Sequence, residues 1–426
     1  MATGLIEVRI WGQQVGAVAR DDTLGAYVFE YAPTWRRRGV ELAPLLMPVT
    51  GTQSKFVFPS LSEPTFKRLP GMLADALPDD FGNALIDAWM ARQGVDKNQI
   101  TTLDRLAYMG KRGMGALEFK PARSHTSASS TTAIRLSTLV EAARRTVNGT
   151  LNSDDMAAAA LSQIIQVGTS AGGARAKAAI AWNPETGEIR PGQFEVSPGF
   201  EHWLLKFDGV GADLTLGSSR DYGRIEYAYH RMATMAGVSM SPCRLLEENG
   251  RAHFMTRRFD RDGNDKIHMQ TLCAMAHLDY RQLATHDYAQ LFMTIDRLGL
   301  GYGVKEEAFR RMAFNVMAAN CDDHTKNFSF LLREGGSWEL APAYDVTHAY
   351  NPSGRNVHQH LLSVNGRFKD ITRDDLLKVA DRFAVGTAPK VLNEIGKAVR
   401  EWSEFARQAG VDSGEIAKIQ DHIRIL

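Results

Sequence analysis

The stretch from residue 318 to 332, AANCDDHTKNFSFLL, restricts the fold more than any other. It begins where a helical pattern ends, since Ala313, Val316 and Met317 fall on one face of a helix. It finishes in a short apolar run typical of a buried strand. The polar side chains between these two elements are Asp322, His324, Lys326 and Asn327. A helix end and a strand must therefore meet around a tight polar loop.

Asp322 and Asn327 are five residues apart, which is the spacing of a protein-kinase catalytic loop. A short loop of this kind can aim a carboxylate at a hydroxyl that loses its proton and an amide at a magnesium ion. Asp345 follows at the place where kinases keep a second metal ligand. Magnesium prefers oxygen ligands, and Asn327 and Asp345 could supply them. Taken alone, the motif is also compatible with an ordinary solvated loop.

Further features lie upstream in the order that a kinase requires. Residues 167–177, VGTSAGGARAK, join a helical pattern to an alternating strand, and glycine lets backbone N–H groups approach phosphate oxygens. The stretch is not a Walker A sequence, and a purely structural turn is the alternative. Lys206 stands among apolar residues of the next strand, where a lysine needs a partner unless it extends to water. Glu226 on the following helix is a candidate partner, and a hairpin ending near Arg258 is the candidate adenine hinge.

The order of these features predicts an α+β protein. We expect a small N-terminal antiparallel β/α domain, followed by a protein-kinase-like bilobal core with a mostly helical C-terminal lobe. The predicted domains are residues 1–123, residues 134–262 with the glycine-rich stretch and the strand lysine, and residues 263–426 with the catalytic loop and the metal-binding Asp. The boundary after the first domain rests on the small polar residues at 124–133, which are typical of a linker.

Local patterns add predictions of secondary structure. Residues 35–38, Trp-Arg-Arg-Arg, are predicted to be a solvated turn rather than a phosphate contact. Apolar periodicity predicts helices near 83–93, 154–166, 270–278 and 389–409, among others.

Composition excludes several classes of protein. The net charge of +1 creates no overall field to attract DNA or a membrane, so a nucleic-acid contact would require a local patch or a partner. The three cysteines lack the spacing of a disulfide framework or a zinc site. The N-terminus has no signal-peptide core, and no apolar run approaches about 18 residues. We therefore expect a protein of the reducing cytoplasm with no membrane partner.

These motifs together resemble HipA, the family of serine/threonine kinase toxins of type II toxin–antitoxin systems. Besides the glycine-rich stretch, the resemblance rests on WLLKF around Lys206, RFDR at 258–261, DDHTKN at 322–327 and AYD at 343–345. The passage LPGMLADALPD at 69–79 resembles the N-terminal domain of the family. The resemblance runs nearly from end to end.

The resemblance implies a role for individual residues. Asp322 would be the catalytic base, and Asn327 and Asp345 would be the magnesium ligands. Ser170 corresponds to an autophosphorylated serine whose modification ejects the glycine-rich loop and inactivates the enzyme, with Thr169 as an adjacent acceptor. A phosphate charge of about −2 there would compete with the phosphates of ATP. The implied nucleotide-binding residues are Gly172, Gly173, Ala174, Arg175, Ala176, Lys177, Lys206, Arg257, Arg258, Phe259, His324, Thr325, Lys326, Asn327, Tyr344 and Asp345.

The resemblance also implies ATP and magnesium as cofactors and a HipB-like helix-turn-helix antitoxin as partner. Operator DNA would be reached mainly through that antitoxin, which is consistent with the near-neutral charge. The protein substrate of the best-known members is an aminoacyl-tRNA synthetase, glutamyl-tRNA synthetase. This sequence departs from those members at Arg175-Ala-Lys177, where they have Gln-Glu-Lys, and at Arg257, where they have an acid.

Two other functions stay open at this point. A small-molecule kinase of the aminoglycoside-phosphotransferase type shares the Asp–Asn spacing, although the N-terminal domain and the loop serine argue against it. A non-catalytic corepressor would bind only antitoxin and DNA, and it would not need the lysine, acids and asparagine of the nucleotide site.

Overall fold

The structure is a computed structural model that describes residues 3–122, 133–148, 164, 175–210 and 221–426. Its strands are β1 Leu5–Ile10, β2 Gln13–Asp21, β3 Ala26–Tyr31, β4 Lys55–Phe56, β5 Glu118–Lys120, β6 Lys177–Trp182, β7 Ile189–Pro191, β8 Glu201–Lys206, β9 Cys243–Glu248, β10 Arg251–Arg257, β11 Arg261–Asp262, β12 Asp265–Lys266, β13 His268–Thr271, β14 His286–Asp287, β15 Ser329–Leu332, β16 Trp338–Leu340 and β17 Leu362–Ser363. Its α-helices are α1 Pro33–Arg38, α2 Glu63–Phe66, α3 Gly71–Ala74, α4 Asp80–Arg92, α5 Thr102–Met109, α6 Leu136–Val147, α7 Tyr222–Met235, α8 Leu272–Ala276, α9 Tyr288–Arg297, α10 Tyr302–Met317, α11 Arg373–Arg382, α12 Ala388–Arg400, α13 Trp402–Gln408 and α14 Ser413–Gln420. The helix predicted near 154–166 lies outside the described residues, apart from residue 164.

The N-terminal part is built on an antiparallel sheet with the strand order β4-β3-β2-β1-β5. Alternation along β1 turns Ile6, Val8 and Ile10 into the core, where each is fully buried. Helices α4 and α5 follow the meander, and the chain then returns to pair β5 with β1. This arrangement confirms the predicted small antiparallel β/α domain.

A second antiparallel sheet has the order β7-β6-β8-β10-β9. The glycine-rich stretch ends at β6, and the strand lysine Lys206 is the last residue of β8. In the register of β6 and β8, Lys177 lies directly opposite Lys206. The sheet therefore brings two lysines that are distant in sequence to one point.

The C-terminal lobe is mostly helical, as predicted. Its core includes Tyr288, Phe309 and Trp402, which are all fully buried. The polar loop leads from α10 into β15, the central strand of a small sheet with the order β13-β15-β16. Within the described ranges, no helix combines the length and the apolar character needed to cross a membrane.

The structure corrects the prediction for residues 35–38. They belong to helix α1, which has Pro33 in its first turn, where a missing N–H group is harmless. Trp35 is buried, and its Nε1 donates to the carbonyl of Val40 at 3.1 Å. Residues 35–38 are thus part of a short helix. Its Trp35 packs into the interior, while Arg38 stays partly exposed.

Other helix boundaries also differ from the predictions. Residues 270–278 begin as strand β13, because Gln270 pairs with Phe330 of β15, and helix α8 starts only at Leu272. The pattern at 389–409 is divided into α12 and α13 at Glu401. Helix α4 begins at Asp80, three residues before the predicted start, because the preceding Asp accepts a hydrogen bond from the backbone N–H of Gly82 at 2.7 Å and caps the helix.

The N-terminal part packs closely against the core of the protein. One hydrophobic cluster runs from the first sheet, with Phe29, into the second sheet, with Trp203 and Leu205. At the start of α3, the N–H of Gly71 donates to Nε2 of His277 at 3.0 Å. The two sheets therefore share one interior, and the domain boundaries at 123, 134 and 262 remain predictions.

Gly71 provides a test of this packing. A Cβ at this position would lie 2.4 Å from the carbonyl oxygen of Ala274 and 2.7 Å from Cδ2 of His277. Gly71→Ala should therefore reduce the free energy of unfolding by about 1–3 kcal/mol in urea titrations, since backbone must move. Gly303→Ala is the matched control near another helix start, where nothing lies within 4 Å of the added carbon. It should leave stability unchanged or raise it by up to about 1 kcal/mol. Equal stability of the two variants would contradict the packing described.

Candidate active site

A cleft between the second sheet and the helical lobe brings together residues from distant parts of the chain. Apolar side chains such as Leu204, Phe259 and Val346 line it together with charged groups, a mixture typical of sites for small organic ligands. The predicted site residues that line this cleft are Lys177, Lys206, Arg257, Arg258, Phe259, Lys326, Asn327, Tyr344 and Asp345.

Lys206 is the centre of the charged part of the cleft. Its Nζ lies 2.5 Å from Oε1 of Glu226 on α7, and it also contacts Oδ1 of Asp345. The suggested pairing of Lys206 with Glu226 is therefore confirmed. Burial by itself lowers the pKa of Lys206, but the charges of Asp345 and Glu226 raise it above its usual value. Both side chains of the pair are almost inaccessible to water, so this lysine is held as a cation by its two carboxylates.

Asp345 is ionised at neutral pH. Burial alone raises its pKa, but the charges of Lys206 and then Lys177 lower it to about 2. Asp345 also has a positive φ of 53°, which is uncommon for a residue other than glycine and occurs often at functional sites. The carboxylate is thus kept charged by the ammonium groups of two lysines that line the same cleft.

The predicted catalytic loop, residues 322–327, holds its polar residues in different ways. Nδ2 of Asn327 donates to the backbone carbonyl of Asp322 at 2.7 Å and closes the loop. The side chain of Asp322 is 46% exposed, and its Oδ1 is 3.9 Å from Nε2 of His324. Thr325 is buried and donates to the carbonyl of Leu278 at 2.8 Å. Of these predicted residues, Asn327 lines the cleft, whereas Asp322, His324 and Thr325 are not among the residues that line it.

The next acid in the loop, Asp323, is fully buried and anchors the loop. It accepts hydrogen bonds from the hydroxyl of Tyr288, from Nδ1 of His360 and from the backbone N–H of Leu361, each at 2.8 Å. Nε2 of His360 is 3.7 Å from Sγ of Cys321. His360 therefore contacts the residues on both sides of Asp322, and this contact projects Asp322 outward.

The donor atoms in the cleft fit a magnesium ion. The amide nitrogen of Asn327 is committed to the backbone of Asp322, so its amide oxygen remains as a ligand. The carboxylate of Asp345 is ionised and lines the same cleft. Amide and carboxylate oxygens are the donors that magnesium accepts alongside phosphate oxygens. Asn327 and Asp345 would hold the ion, with Asp345 shared between it and Lys206.

The predicted hinge residues have separate environments. Arg258 is buried and makes two hydrogen bonds to Asp260, at 2.9 and 2.7 Å, so its guanidinium is committed to the fold. Arg257 is exposed, and its Nη1 is 3.6 Å from Glu201. The ring of Phe259 packs near that of Tyr344, with centroids 5.6 Å apart. Phe259 of the predicted adenine hinge thus lies next to Tyr344, which is a predicted nucleotide-site residue outside the hinge.

Several predicted residues belong to the glycine-rich stretch, and its larger part lies outside the described residues. Arg175 is described, and its Nη1 is 3.3 Å from Oε2 of Glu226. Ala176 is buried next to the strand that carries Lys177. The predicted residues outside the described part are Thr169, Ser170, Gly172, Gly173 and Ala174.

Residues of the N-terminal part also line the cleft, and the sequence reasoning did not include them. Asp75 lines it and accepts hydrogen bonds from the backbone N–H and the hydroxyl of Thr271, at 2.7 and 2.9 Å. Met114 is a second such residue. The available signal was the passage 69–79, where single acids stand among Leu, Pro and Gly. An acid in such apolar surroundings needs a specific partner.

The fold and the cleft define a protein with a kinase-like two-lobed core and an N-terminal domain packed against it. Residues 6–120 match the HipA N-terminal domain family, and residues 169–409 match the HipA-like C-terminal domain family. This chain therefore belongs to the HipA family.

Solved structures give further similarities. The chain is similar to HipA of the toxin–antitoxin system of Shewanella oneidensis MR-1, from a complex of HipA, HipB and operator DNA. The TM-score is 0.66 at 16% identity, over 98% of this chain and 95% of that chain. The proinflammatory kinase CtkA of Helicobacter pylori matches with a TM-score of 0.37 at 14% identity, over 59% of this chain and 90% of that chain. No curated protein sequence matches this chain.

The contact of His360 with Asp323 predicts a pH-dependent stability. Burial lowers the pKa of His360, but the Asp323 carboxylate raises it more strongly, to about 10. A raised pKa gives stability that is complete below the unfolded-state value near 6.5 and is lost as the pH rises toward 10. His360→Gln should therefore lower the free energy of unfolding by about 3 kcal/mol at pH 6, since it leaves a buried carboxylate without its cation.

The measurement is urea unfolding of the wild type and His360→Gln at pH 6, 8 and 10. The difference in their free energy of unfolding should shrink as the pH rises. His358→Gln is the control, because that histidine is exposed and bonds only to the carbonyl of Gly354 in the described contacts. A difference for His360→Gln that stays constant across this range would show that the histidine is neutral in the folded protein.

Proposed function

We propose that this protein is a magnesium-dependent serine/threonine protein kinase that transfers the γ-phosphate of ATP to a protein target. One observation carries the proposal: Lys206, Asn327 and Asp345, which lie far apart in sequence, line one cleft, and the backbone of Asp322 is tied to Asn327. A lysine held by a helix glutamate, a metal-binding Asp and an Asp–Asn loop are the parts that phosphoryl transfer in kinases requires. Membership of the HipA family supports the same reading.

Each of these residues would have its own role in the reaction. Lys206 would neutralise phosphate oxygens, and Phe259 and Tyr344 would pack beside the base. The substrate hydroxyl oxygen forms a bond to the γ-phosphorus while the bond from this phosphorus to the bridging oxygen breaks, and ADP leaves. Asp322 accepts the hydroxyl proton, for which its partly exposed side chain is well suited. Bound magnesium would supply charge neutralisation at the phosphates.

The same proposal extends to the biological role. The similarity to a HipA that was solved with HipB and operator DNA supports a toxin that pairs with a HipB-like antitoxin and reaches operator DNA mainly through it. The net charge of +1 is in keeping with indirect DNA binding. The proposed target is a cytoplasmic aminoacyl-tRNA synthetase, with glutamyl-tRNA synthetase as the first to examine. Autophosphorylation at Ser170, or at the adjacent Thr169, would switch the enzyme off.

Asp322→Asn tests the chemistry directly. Purified wild-type and variant proteins are incubated with ATP and magnesium, and phosphate gain is followed by mass spectrometry. The variant should be slower by about 10²–10⁴-fold, because it cannot accept the proton, while its ATP affinity should stay within about twofold. Asp381→Asn, an exposed acid of the C-terminal lobe, is the matched control and should equal the wild type.

The outcomes separate the candidate functions. A gain of one phosphate at Ser170 or Thr169 in the wild type and the control, but not in Asp322→Asn, supports a protein kinase with a self-inactivating switch. A wild type that binds ATP without modifying itself, the synthetase or any other protein offered would point to a small-molecule phosphotransferase. No ATP binding by the unphosphorylated wild type would point to a non-catalytic corepressor.

A further inference from the structure

Two lysines in the cleft face each other across neighbouring strands. Lys177 of β6 pairs directly with Lys206 of β8 in the sheet register, and both residues are buried. Like charges directly opposite each other on a sheet repel, and each buried ammonium group needs its own counter-charge. The arrangement is therefore stable only if separate carboxylates hold the two lysines apart.

The two counter-charges come from different parts of the protein. Lys206 is held by Glu226 and Asp345 of the kinase-like core. Lys177 is held by Asp79 of the N-terminal part, with Nζ 3.3 Å from Oδ2 and both side chains at most 4% exposed. Burial raises the pKa of Asp79 above its usual value and the charge of Lys177 offsets only part of that rise, so the ion pair is assigned from the contact between the two buried side chains. The N-terminal part thus provides a charge that the cleft does not contain by itself.

A second acid of the passage 69–79 also lies close to the charged groups of the cleft. Asp75 lies four residues before Asp79, lines the cleft and is fixed by Thr271. It shares the cleft with Lys326, whose Nζ lies 4.9 Å from the ring centroid of Tyr280. Burial raises the pKa of Asp75, and the charge of Lys326 offsets only part of that rise. Both acids therefore lie next to lysines of the candidate nucleotide site.

We propose that the N-terminal passage 69–79 is a working part of the nucleotide site, with Asp79 as a positioning residue that keeps Lys177 away from Asp345. This inference rests on the proposed function, because it concerns how the cleft receives a nucleotide with magnesium. Without the Asp79 charge, the carboxylates left within the cleft for Lys177 are Asp75, which is bonded to Thr271, and the two that already hold Lys206. Lys177 already acts on Asp345 through its charge. A second lysine drawn to Asp345 would compete with magnesium for that carboxylate.

Asp79→Asn separates this role from the capping role of the same residue. Asparagine caps a helix as well as aspartate does, so the bond from Gly82 that starts α4 can be kept while the charge is removed. The measurement is calorimetric binding of a non-hydrolysable ATP analogue at a series of magnesium concentrations. The magnesium concentration for half-maximal binding should rise at least fivefold in Asp79→Asn, while affinity at saturating magnesium stays within about threefold.

Two further variants make the test specific. Asp96→Asn is the matched control, because Asp96 also caps a helical turn of the N-terminal part but is exposed. Asp96→Asn should bind the ATP analogue with the affinity and the magnesium requirement of the wild type. In the double variant Asp79→Asn with Lys177→Met, the unpaired cation is gone, so the magnesium concentration for half-maximal binding should return to within about twofold of the wild-type value. The affinity for the analogue at saturating magnesium should fall, because Lys177 is itself an expected nucleotide contact.

Each outcome has a distinct meaning. An Asp79→Asn protein with the magnesium requirement of Asp96→Asn would overturn the positioning role, whether or not its melting temperature falls. A double variant that keeps the raised requirement would overturn it as well, because Lys177 would not be the competitor. A wild type that binds no analogue at any magnesium concentration would instead overturn the proposed function.

Discussion

The neutralisation of buried positive charge is the constraint on which the rest of this structure depends. Lys206, Lys177 and Lys326 all line one cleft. Their carboxylates come from a helix of the core, from the loop after the catalytic stretch and from the N-terminal part. Removal of one partner from a buried ion pair leaves a charge that the interior cannot solvate. The cleft therefore ties together elements that the chain order keeps far apart, and its shape follows from the requirement that each ammonium group has its own acid.

Two adjacent acids show how environment assigns different roles to the same side chain. Asp323 is enclosed and bonded to Tyr288, His360 and the backbone, whereas the neighbouring Asp322 is 46% exposed. Because Asp323 is anchored in the interior, the neighbouring Asp322 can move little, but it stays accessible to a substrate. A proton acceptor needs both properties, since it must be positioned and still be reachable.

The sequence predicts well whatever depends on local pattern or on short spacing. The small antiparallel domain at the N-terminus and the Lys206–Glu226 pair follow from local pattern and from kinase order. Contacts between distant segments were not predictable in this way. Trp35 becomes the anchor of a helix because a pocket in the N-terminal core encloses it, and residue 270 becomes a strand because β15 lies beside it. Asp79 and Lys177 belong to segments that only the tertiary fold brings together. Their ion pair therefore could not be predicted from the sequence.

The hydrophobic cluster shared by the two sheets determines when the core of the N-terminal part can be completed during translation. The first sheet leaves the ribosome early, but part of its interior is finished only when Trp203 and Leu205 have been made. Until then the nascent chain exposes apolar surface and has no second wall for its core. The cleft closes later still, because Asp345 follows helices α8 to α10 of the helical lobe. A truncated translation product would therefore lack both a stable interior and the complete candidate nucleotide site.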